Sequence, residues 1–203
     1  MTEAVLVEQS AGAKNFHDRW RSITRSLWNG VWSYDQSFDF AQQVVRNGLT
    51  QAWYEGAKKV GLAPADMTPE ERIELERIIF GEFTHIDGFL AAIDQGSKAN
   101  GGKLAPLMKR ADLWIGRYED VVSRAELTGR DDPKLQWQYG DTQHCDSCLR
   151  LAGKTKRASF WKRAGVHPRA PRNEMLQCLG FNCQCVFVPI DEKCTPGPLP
   201  RLP

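Results

Sequence analysis

The residues able to do chemistry in this 203-residue chain are concentrated in one stretch. All six cysteines lie between Cys145 and Cys194. Cys145-Asp146-Ser147-Cys148 forms a C-x-x-C, and Cys178, Cys183 and Cys185 follow downstream as C-x4-C-x-C. A C-x-x-C turn presents two thiolates to one ion about 2.3 Å from each sulfur, and a second pair from a distant segment completes a tetrahedron. The stretch between the pairs has too few apolar residues to fold alone, so ion-binding free energy would become folding free energy. A closed four-thiolate site leaves no open position for water. The expected role is therefore structural, and zinc is the expected ion.

Five cysteines (Cys145, Cys148, Cys178, Cys183 and Cys185) compete for four positions, and His144 is a further donor. In extended backbone Cys183 and Cys185 would face the same way, because side chains alternate with period two. Cys178 either takes the fourth place or pairs with Cys194 on oxidation. Disulfides or unliganded thiols are the alternative to metal.

A basic run lies between the two cysteine groups. From Arg150 to Arg172 it carries Arg150, Lys154, Lys156, Arg157, Lys162, Arg163, Arg169 and Arg172, no acid, and the interleaved Phe160, Trp161 and His167. Such a run can neutralise phosphates with release of counterions. Equally, it can be a solvated loop that offsets thiolate charge or meets an acidic partner. Arg150, Lys154, Lys156, Arg157, Lys162 and Arg163 are the candidate contacts to nucleic acid or to that partner. The whole chain, at net +2, is neither a uniformly basic nucleic-acid binder nor an acidic disordered chain.

Enzyme signatures are thin. H-E-x-x-H, G-x-S-x-G and a phosphate-binding Gly-rich loop are all absent from the sequence. A zinc deaminase needs H-x-E followed by P-C-x-x-C. His85-Ile86-Asp87 offers Asp for Glu, and no Pro precedes Cys145. His144 and Cys145 are sequence neighbours, a poor arrangement for a Cys–His nucleophile. The expectation is a protein without catalytic activity and without a small-molecule substrate.

The elements that must carry the cysteines read as helices first. Phe16, Trp20, Ile23, Leu27 and Val31 recur at helical spacing and predict a helix over 13–32. Ala41, Val44, Val45, Gly48, Leu49, Ala52, Trp53, Gly56, Ala57 and Val60 predict a second over 38–60, whose small residues let a neighbouring helix approach closely. Thr68-Pro69-Glu70-Glu71 is a cap, a first-turn proline and a capping box for a third helix, striped from Leu75 to Ile93 and ending near Gly96. A flexible Ala99-Asn100-Gly101-Gly102 precedes a fourth, carrying Leu104 to Ala125. Each stripe leaves charges on its far face and must be buried against another.

Hydrophobic residues make up 41% of the chain, enough for a packed core, and no apolar run has the length of a membrane span. The acidic first residues do not read as a signal peptide, which predicts folding in a cytosol. Charge divides near the turn signal Gly129–Pro133. From Gly129 onward there are 12 Lys/Arg and 7 Asp/Glu, net +5, while the preceding residues hold 15 and 18, net −3. The expected organisation is a flexible N-terminus over 1–12, a helical domain over 13–128, a cysteine-rich module over 133–194 and a Pro-rich tail over 195–203. That tail reads as extended and disordered unless docked. The fold class is mainly α: a helical bundle with a small cysteine-rich, zinc-stapled C-terminal module containing short β-strands. Trp137 and Trp161 flank that module as candidate covers.

Four pieces of sequence carry a family resemblance. They are Trp137 with His144-Cys145-Asp146-Ser147-Cys148-Leu149-Arg150-Leu151-Ala152-Gly153-Lys154, then Ser159-Phe160-Trp161, Gly165-Val166-His167-Pro168, and Cys178-Leu179-Gly180-Phe181-Asn182-Cys183-Gln184-Cys185. Together they resemble the C-terminal motif of the Mu F-like head-morphogenesis proteins of tailed bacteriophages. That motif runs from a C-x-x-C through a Leu-x-Gly-Lys turn and a Pro to a closing C-x-C before a hydrophobic strand, here Val186–Pro189. The resemblance implies metal ligands at Cys145, Cys148, Cys183 and Cys185. One departure is that the family's His-Pro just before the closing C-x-C is absent; His167-Pro168 sits upstream and Cys178 stands nearby. The resemblance also implies a minor structural protein of the virion head, assembled in the bacterial cytoplasm. It would bind portal and other head proteins and contact packaged DNA, with no membrane. The bottom-up alternative is a zinc-stapled nucleic-acid binder acting through Arg150–Arg172.

Overall fold

The computed structural model describes residues 10–140, 143–181 and 183–202. Residues 1–9, where most of the expected flexible N-terminus falls, lie outside the described residues, as do Asp141, Thr142 and Asn182 of the cysteine stretch and Pro203. The fold is mainly helical, with a small three-stranded sheet and a cysteine cluster towards the C-terminal end. Its helices are α1 (Ala11–Trp28), α2 (Tyr34–Lys59), α3 (Pro69–Gln95), α4 (Leu104–Asp112), α5 (Ile115–Glu126), α6 (Asp146–Leu151) and α7 (Ala158–Ala164). The strands are β1 (Lys134–Gln138), β2 (Thr155–Arg157) and β3 (Val186–Pro189). No helix among the described residues is long and apolar enough to cross a membrane.

Two compact units divide the chain: one holds 10–52 and Thr68–Tyr118, the other Trp53–Met67 and 119–202. The division therefore falls within α2 and α5, whereas charge placed a boundary at Gly129–Pro133. The cysteine-rich stretch shares its unit with the end of α2 and most of α5. The Gly129–Pro133 signal does form a turn, closed by the Asp132 N–H donating to the Gly129 carbonyl at 3.1 Å.

In the first unit α1 packs on α3 and α4. Trp20 is fully buried, stacked on Trp114 at 4.0 Å and edge-on to Phe89 at 5.8 Å. Gly48 does the work its size suggested, since a Cβ there would strike the Phe16 ring. The third helix starts as its sequence demands. The Thr68 hydroxyl accepts from the Glu71 N–H at 3.2 Å, the Glu71 carboxylate accepts from the Thr68 N–H at 2.8 Å, and the helix ends at Gly96.

Two sequence expectations are corrected. The first helix begins at Ala11, with Ser10 capping it, and ends at Trp28, so Val31 leaves the stripe and is 70% exposed. The fourth helix is two. At Leu113 and Trp114 the backbone tightens to three-residue bonds, with Trp114 N–H donating to Ala111 at 3.1 Å and Arg117 N–H to Trp114 at 3.0 Å. This swings Trp114 inward onto Trp20 and leaves Leu113 exposed. Ala99–Gly102 forms a hydrogen-bonded turn, its Gly101 N–H bonded to the Lys98 carbonyl and its Gly102 N–H to that of Ser97.

In the second unit β1 is the central strand, antiparallel to β2 and β3, in the order β2-β1-β3. Leu135 and Trp137 alternate inward along β1, as period two requires. They meet Leu151, Trp161, Leu176 and Phe187 in one buried cluster. Gly56 of α2 lies against α5, where a Cβ would strike the Val122 carbonyl and come within 2.9 Å of Ala125.

These placements separate Leu27 from Val31, two apolar residues one helical turn apart in sequence. Leu27→Ala is expected to lower unfolding free energy by about 2–5 kcal/mol through lost contacts and cavity formation. Val31→Ala is expected to change it by less than about 0.5 kcal/mol. Urea unfolding followed by far-UV circular dichroism measures both.

Candidate metal centre

Local structure delivers the sulfurs from two segments. Cys145 precedes α6 and Cys148 lies in its first turn, so the C-x-x-C spans a helix start and both sulfurs face one way, 3.5 Å apart. The chain then turns at Leu151-Ala152-Gly153-Lys154. Gly153 takes φ +73°, a left-handed conformation natural to glycine. The turn is pinned to β1, with Gly153 N–H donating to Trp137 at 2.9 Å and Trp137 N–H to Lys154 at 3.0 Å. The second segment returns at Cys178. Gly180, at φ +75°, lies so close to the Ala170 carbonyl that a Cβ could not fit. Cross-links hold the segments together: Gln177 Oε1 accepts from the Asp146 N–H, and Ser147 Oγ from the Gln177 N–H, both at 3.0 Å.

The five predicted sulfurs come together as two triads that share Cys148. Cys145, Cys148 and Cys178 lie within 4.8 Å of one another, and so do Cys148, Cys183 and Cys185. Cys148 and Cys183, from opposite segments, are 3.9 Å apart. A tetrahedral ion about 2.3 Å from each thiolate spaces its sulfurs about 3.8 Å apart, so the donors fit a metal ion in number, chemistry and spacing. Cys148 and Cys185 are buried, and Cys145, Cys178 and Cys183 half-buried. Cys194 is exposed and belongs to neither triad. Nor does His144, whose Nε2 lies 2.7 Å from the Gly140 carbonyl and whose ring packs on Tyr139.

The electrostatics of the sulfurs point the same way. Hydrogen bonds with Cys148, Cys178 and Cys185 hold the Cys183 thiol far below its usual range, against burial. Hydrogen bonding to Cys178, Cys183 and Cys185, together with burial, pushes Cys148 far above it. The hydrogen bond of Cys178 with Cys148 lowers its pKa, but Cys183 and burial outweigh that and raise it to about 12. Cys185 also rises: its bond with Cys148 opposes the shift, and Cys183 and burial win. At Cys145 burial raises the pKa, yet hydrogen bonds with Cys148 and Cys178 leave it lowered. A bound cation would stabilise several thiolates together.

Sequence reasoning missed the neighbours that set this environment. Arg169 is buried, and its Nε donates to the Cys185 carbonyl at 3.0 Å. Its guanidinium pairs with Glu119 of α5. Burial lowers the Arg169 pKa to about 10, while the Cys183 and Cys185 charges support its cationic form. The nearby Asp120 carboxylate takes His167 Nε2 at 2.8 Å and Arg124 Nε at 3.1 Å. Trp137 and Trp161, expected as covers, are both fully buried and meet Phe187 at 5.8 and 5.2 Å. The Trp137 indole N–H lacks an acceptor at good hydrogen-bond geometry; its electrostatic partner is the Cys185 sulfur, whose thiolate form it favours. Nothing in the sequence separates Arg169 from the other cations of its run.

The basic run divides by environment. Lys162 and Arg163 are exposed at the end of α7, and Lys154 is half-buried. Arg157 is exposed, and its Nη1 donates to the Asp132 carbonyl at 2.9 Å. Arg150 donates to the Arg201 carbonyl at 2.7 Å. Lys156 is 5% exposed and its ammonium donates to the Thr195 carbonyl at 2.6 Å and to that of Gly197. Among the candidate contacts, Lys156 is therefore withdrawn from the surface. The Pro-rich tail, expected to be disordered unless docked, is docked on β2 and α7.

A buried carboxylate outside the cluster is Glu126, at the end of α5. Burial raises its pKa to about 7, against the attraction of Lys59 at 2.9 Å, with Glu55 adding to the rise. Comparison with known protein families, with curated proteins and with solved structures gives no match.

Two outcomes are expected. Cobalt(II) titration of the reduced chain should give intense thiolate-to-metal charge transfer, which Cys148→Ser or Cys183→Ser weakens and Cys194→Ser leaves intact; absorption spectroscopy measures it. Glu126, with a folded pKa raised from 4.5 to about 7, holds a proton that the unfolded chain releases. Stability should fall as pH rises through that window and level off above it. Glu126→Gln should remove the slope, as read from urea midpoints between about pH 5 and about pH 8.

Proposed function

We propose that this chain is a minor structural protein of a tailed-bacteriophage head, of the Mu F-like head-morphogenesis kind. Its cysteine cluster holds a structural zinc ion. The observation that carries the reading is the meeting of two motif segments. A C-x-x-C at the start of α6 and a C-x-C just before β3 bring sulfurs within 3.9 Å of each other beside a tryptophan-lined sheet. That is the order of parts in the family motif: paired thiolates, a Leu-x-Gly-Lys turn, a closing pair, then a hydrophobic strand.

Zinc is the ion proposed because it is redox-inert and accepts a tetrahedron of thiolates. Its coordination would be filled by cysteine, so the ion supplies cohesion and the role is non-catalytic. The partners proposed are the portal and other head proteins, met in the host cytoplasm during assembly, with the chain retained in the virion. Contact with packaged DNA would use the exposed Lys162 and Arg163 of α7, with Lys154. That part of the reading requires filter binding that weakens steeply with salt.

Elemental analysis of reduced, freshly purified protein should find about one zinc per chain. Mass spectrometry of purified heads should find the chain in few copies, and it should co-elute with its portal ring. A zinc-free protein that keeps the second unit folded rejects the staple. Absence of the chain from purified heads rejects the structural role.

A further inference from the structure

The Pro-rich segment is bound in the manner of a ligand. Thr195 N–H donates to the Thr155 carbonyl at 2.8 Å, and Thr155 N–H donates to Thr195 Oγ1 at 3.0 Å. Thr155 of β2 thus spends on the segment both of the main-chain groups that it turns away from β1. The Lys156 ammonium, 4.7 Å over the Phe160 ring, donates to the Thr195 and Gly197 carbonyls. Arg150 holds the Arg201 carbonyl. Leu199 and Leu202 pack on the core cluster of the unit. Together with Phe160, Ala164, Met175 and Pro200 they line a cavity of about 460 Å³.

Apart from the bond to the Thr195 hydroxyl, these contacts read the main-chain groups or an apolar side chain of the segment. A buried ammonium left without carbonyls would be costly, so the groove demands a strand that lacks regular structure and presents successive free carbonyls. Thr-Pro-Gly-Pro-Leu meets that demand, because its prolines leave main-chain carbonyls without helix or sheet partners. The connection to the groove is slight. Asp191 and Glu192 offer their carbonyls to Lys134, and Lys193 and Cys194, both exposed and outside any helix or strand, follow before the first groove contact. Nothing in the set of contacts depends on the segment belonging to the same chain.

We propose that the face formed by β2 and α7 is a groove for an extended Pro-Gly-containing segment, and that copies of this chain exchange residues 195–202 through it. In the single chain the groove is filled in cis. At high local concentration, as when several copies gather on one particle, the same contacts form in trans and link copies without any new interface. The proposal is independent of metal binding.

The test uses the full chain carrying a benzophenone amino acid at Pro200, whose position in the cavity faces Phe160, Ala164 and Met175. Isotopically heavy and light preparations are mixed across a concentration series, irradiated and digested. Cross-links from residue 200 to 160–175 that join a heavy to a light peptide are expected to rise with concentration. Lys156→Met in both preparations should reduce them about tenfold. Cross-links that join only like-labelled peptides at every concentration overturn the exchange, and cross-links that miss 160–175 overturn the groove. Sedimentation velocity of the unaltered chain reads the same exchange without a variant: a dimer growing with concentration supports it, and a monomer throughout rejects it.

Discussion

Sulfur convergence is the constraint on which the second unit depends. The residues between Cys148 and Cys178 contribute Leu151, Ala158, Trp161, Val166, Ala170 and Leu176 to its core, few for the length of chain that must be ordered. Closing a loop of that size costs entropy that grows only slowly with length, so one strong tie at its ends is efficient. A metal ion held by the cluster would supply that tie. The cluster also creates an electrostatic problem, because neighbouring buried thiolates repel and lose hydration together. Arg169, fixed to Glu119 and to the Cys185 carbonyl, answers part of it from the protein side. A bound cation would answer the rest.

The sheet has two ends to protect, and the unit treats them differently. At one end β3 begins directly after the closing cysteines, so the strand's start lies beside Cys148 of α6, where a bound ion would tie the two. At the other, β2 would present unpaired main-chain groups, a liability for any edge strand. Thr195 satisfies those of Thr155, and the rest of the Pro-rich segment lies across α7. A proline-rich segment suits an edge, since it covers apolar surface but cannot itself become a new sticky strand.

Legibility followed the range of the interactions. Local signals were readable, as at Thr68 and Glu71, whose reciprocal bonds depend on spacing alone. Gly48 was readable as a place of close approach, although Phe16 as the residue that fills it was not. The five sulfurs were readable as a set; which of them pair most closely was not, because that depends on how α6 and the Gly180 turn are oriented. The break at Leu113 was hidden, since the apolar spacing of Leu107, Ala111, Trp114 and Tyr118 continues across it without interruption. The stacking of Trp114 on Trp20, a contact between distant parts of the chain, accompanies the break and has no mark in the local spacing. Val31 failed for the complementary reason: it kept the period after the helix that gave the period meaning had ended at Trp28.

The basic run shows most clearly why composition is a poor guide to surface. Eight cations without an acid look like a patch made for phosphate. In the fold, Arg169 holds the Cys185 carbonyl beside the sulfur cluster, Lys156 and Arg150 hold carbonyls of the Pro-rich segment, and Arg157 holds the Asp132 carbonyl. A chain that folds around a compact sulfur cluster and then wraps its own edge must terminate many carbonyls outside regular helix or sheet. Long cationic side chains reach them from a distance, burying their methylenes on the way. Charge concentrated between two cysteine-bearing segments is therefore as well explained by the carbonyls of irregular backbone as by an anionic partner. Among the described residues, the cations that reach no such carbonyl, Lys162 and Arg163 foremost, are left to face one.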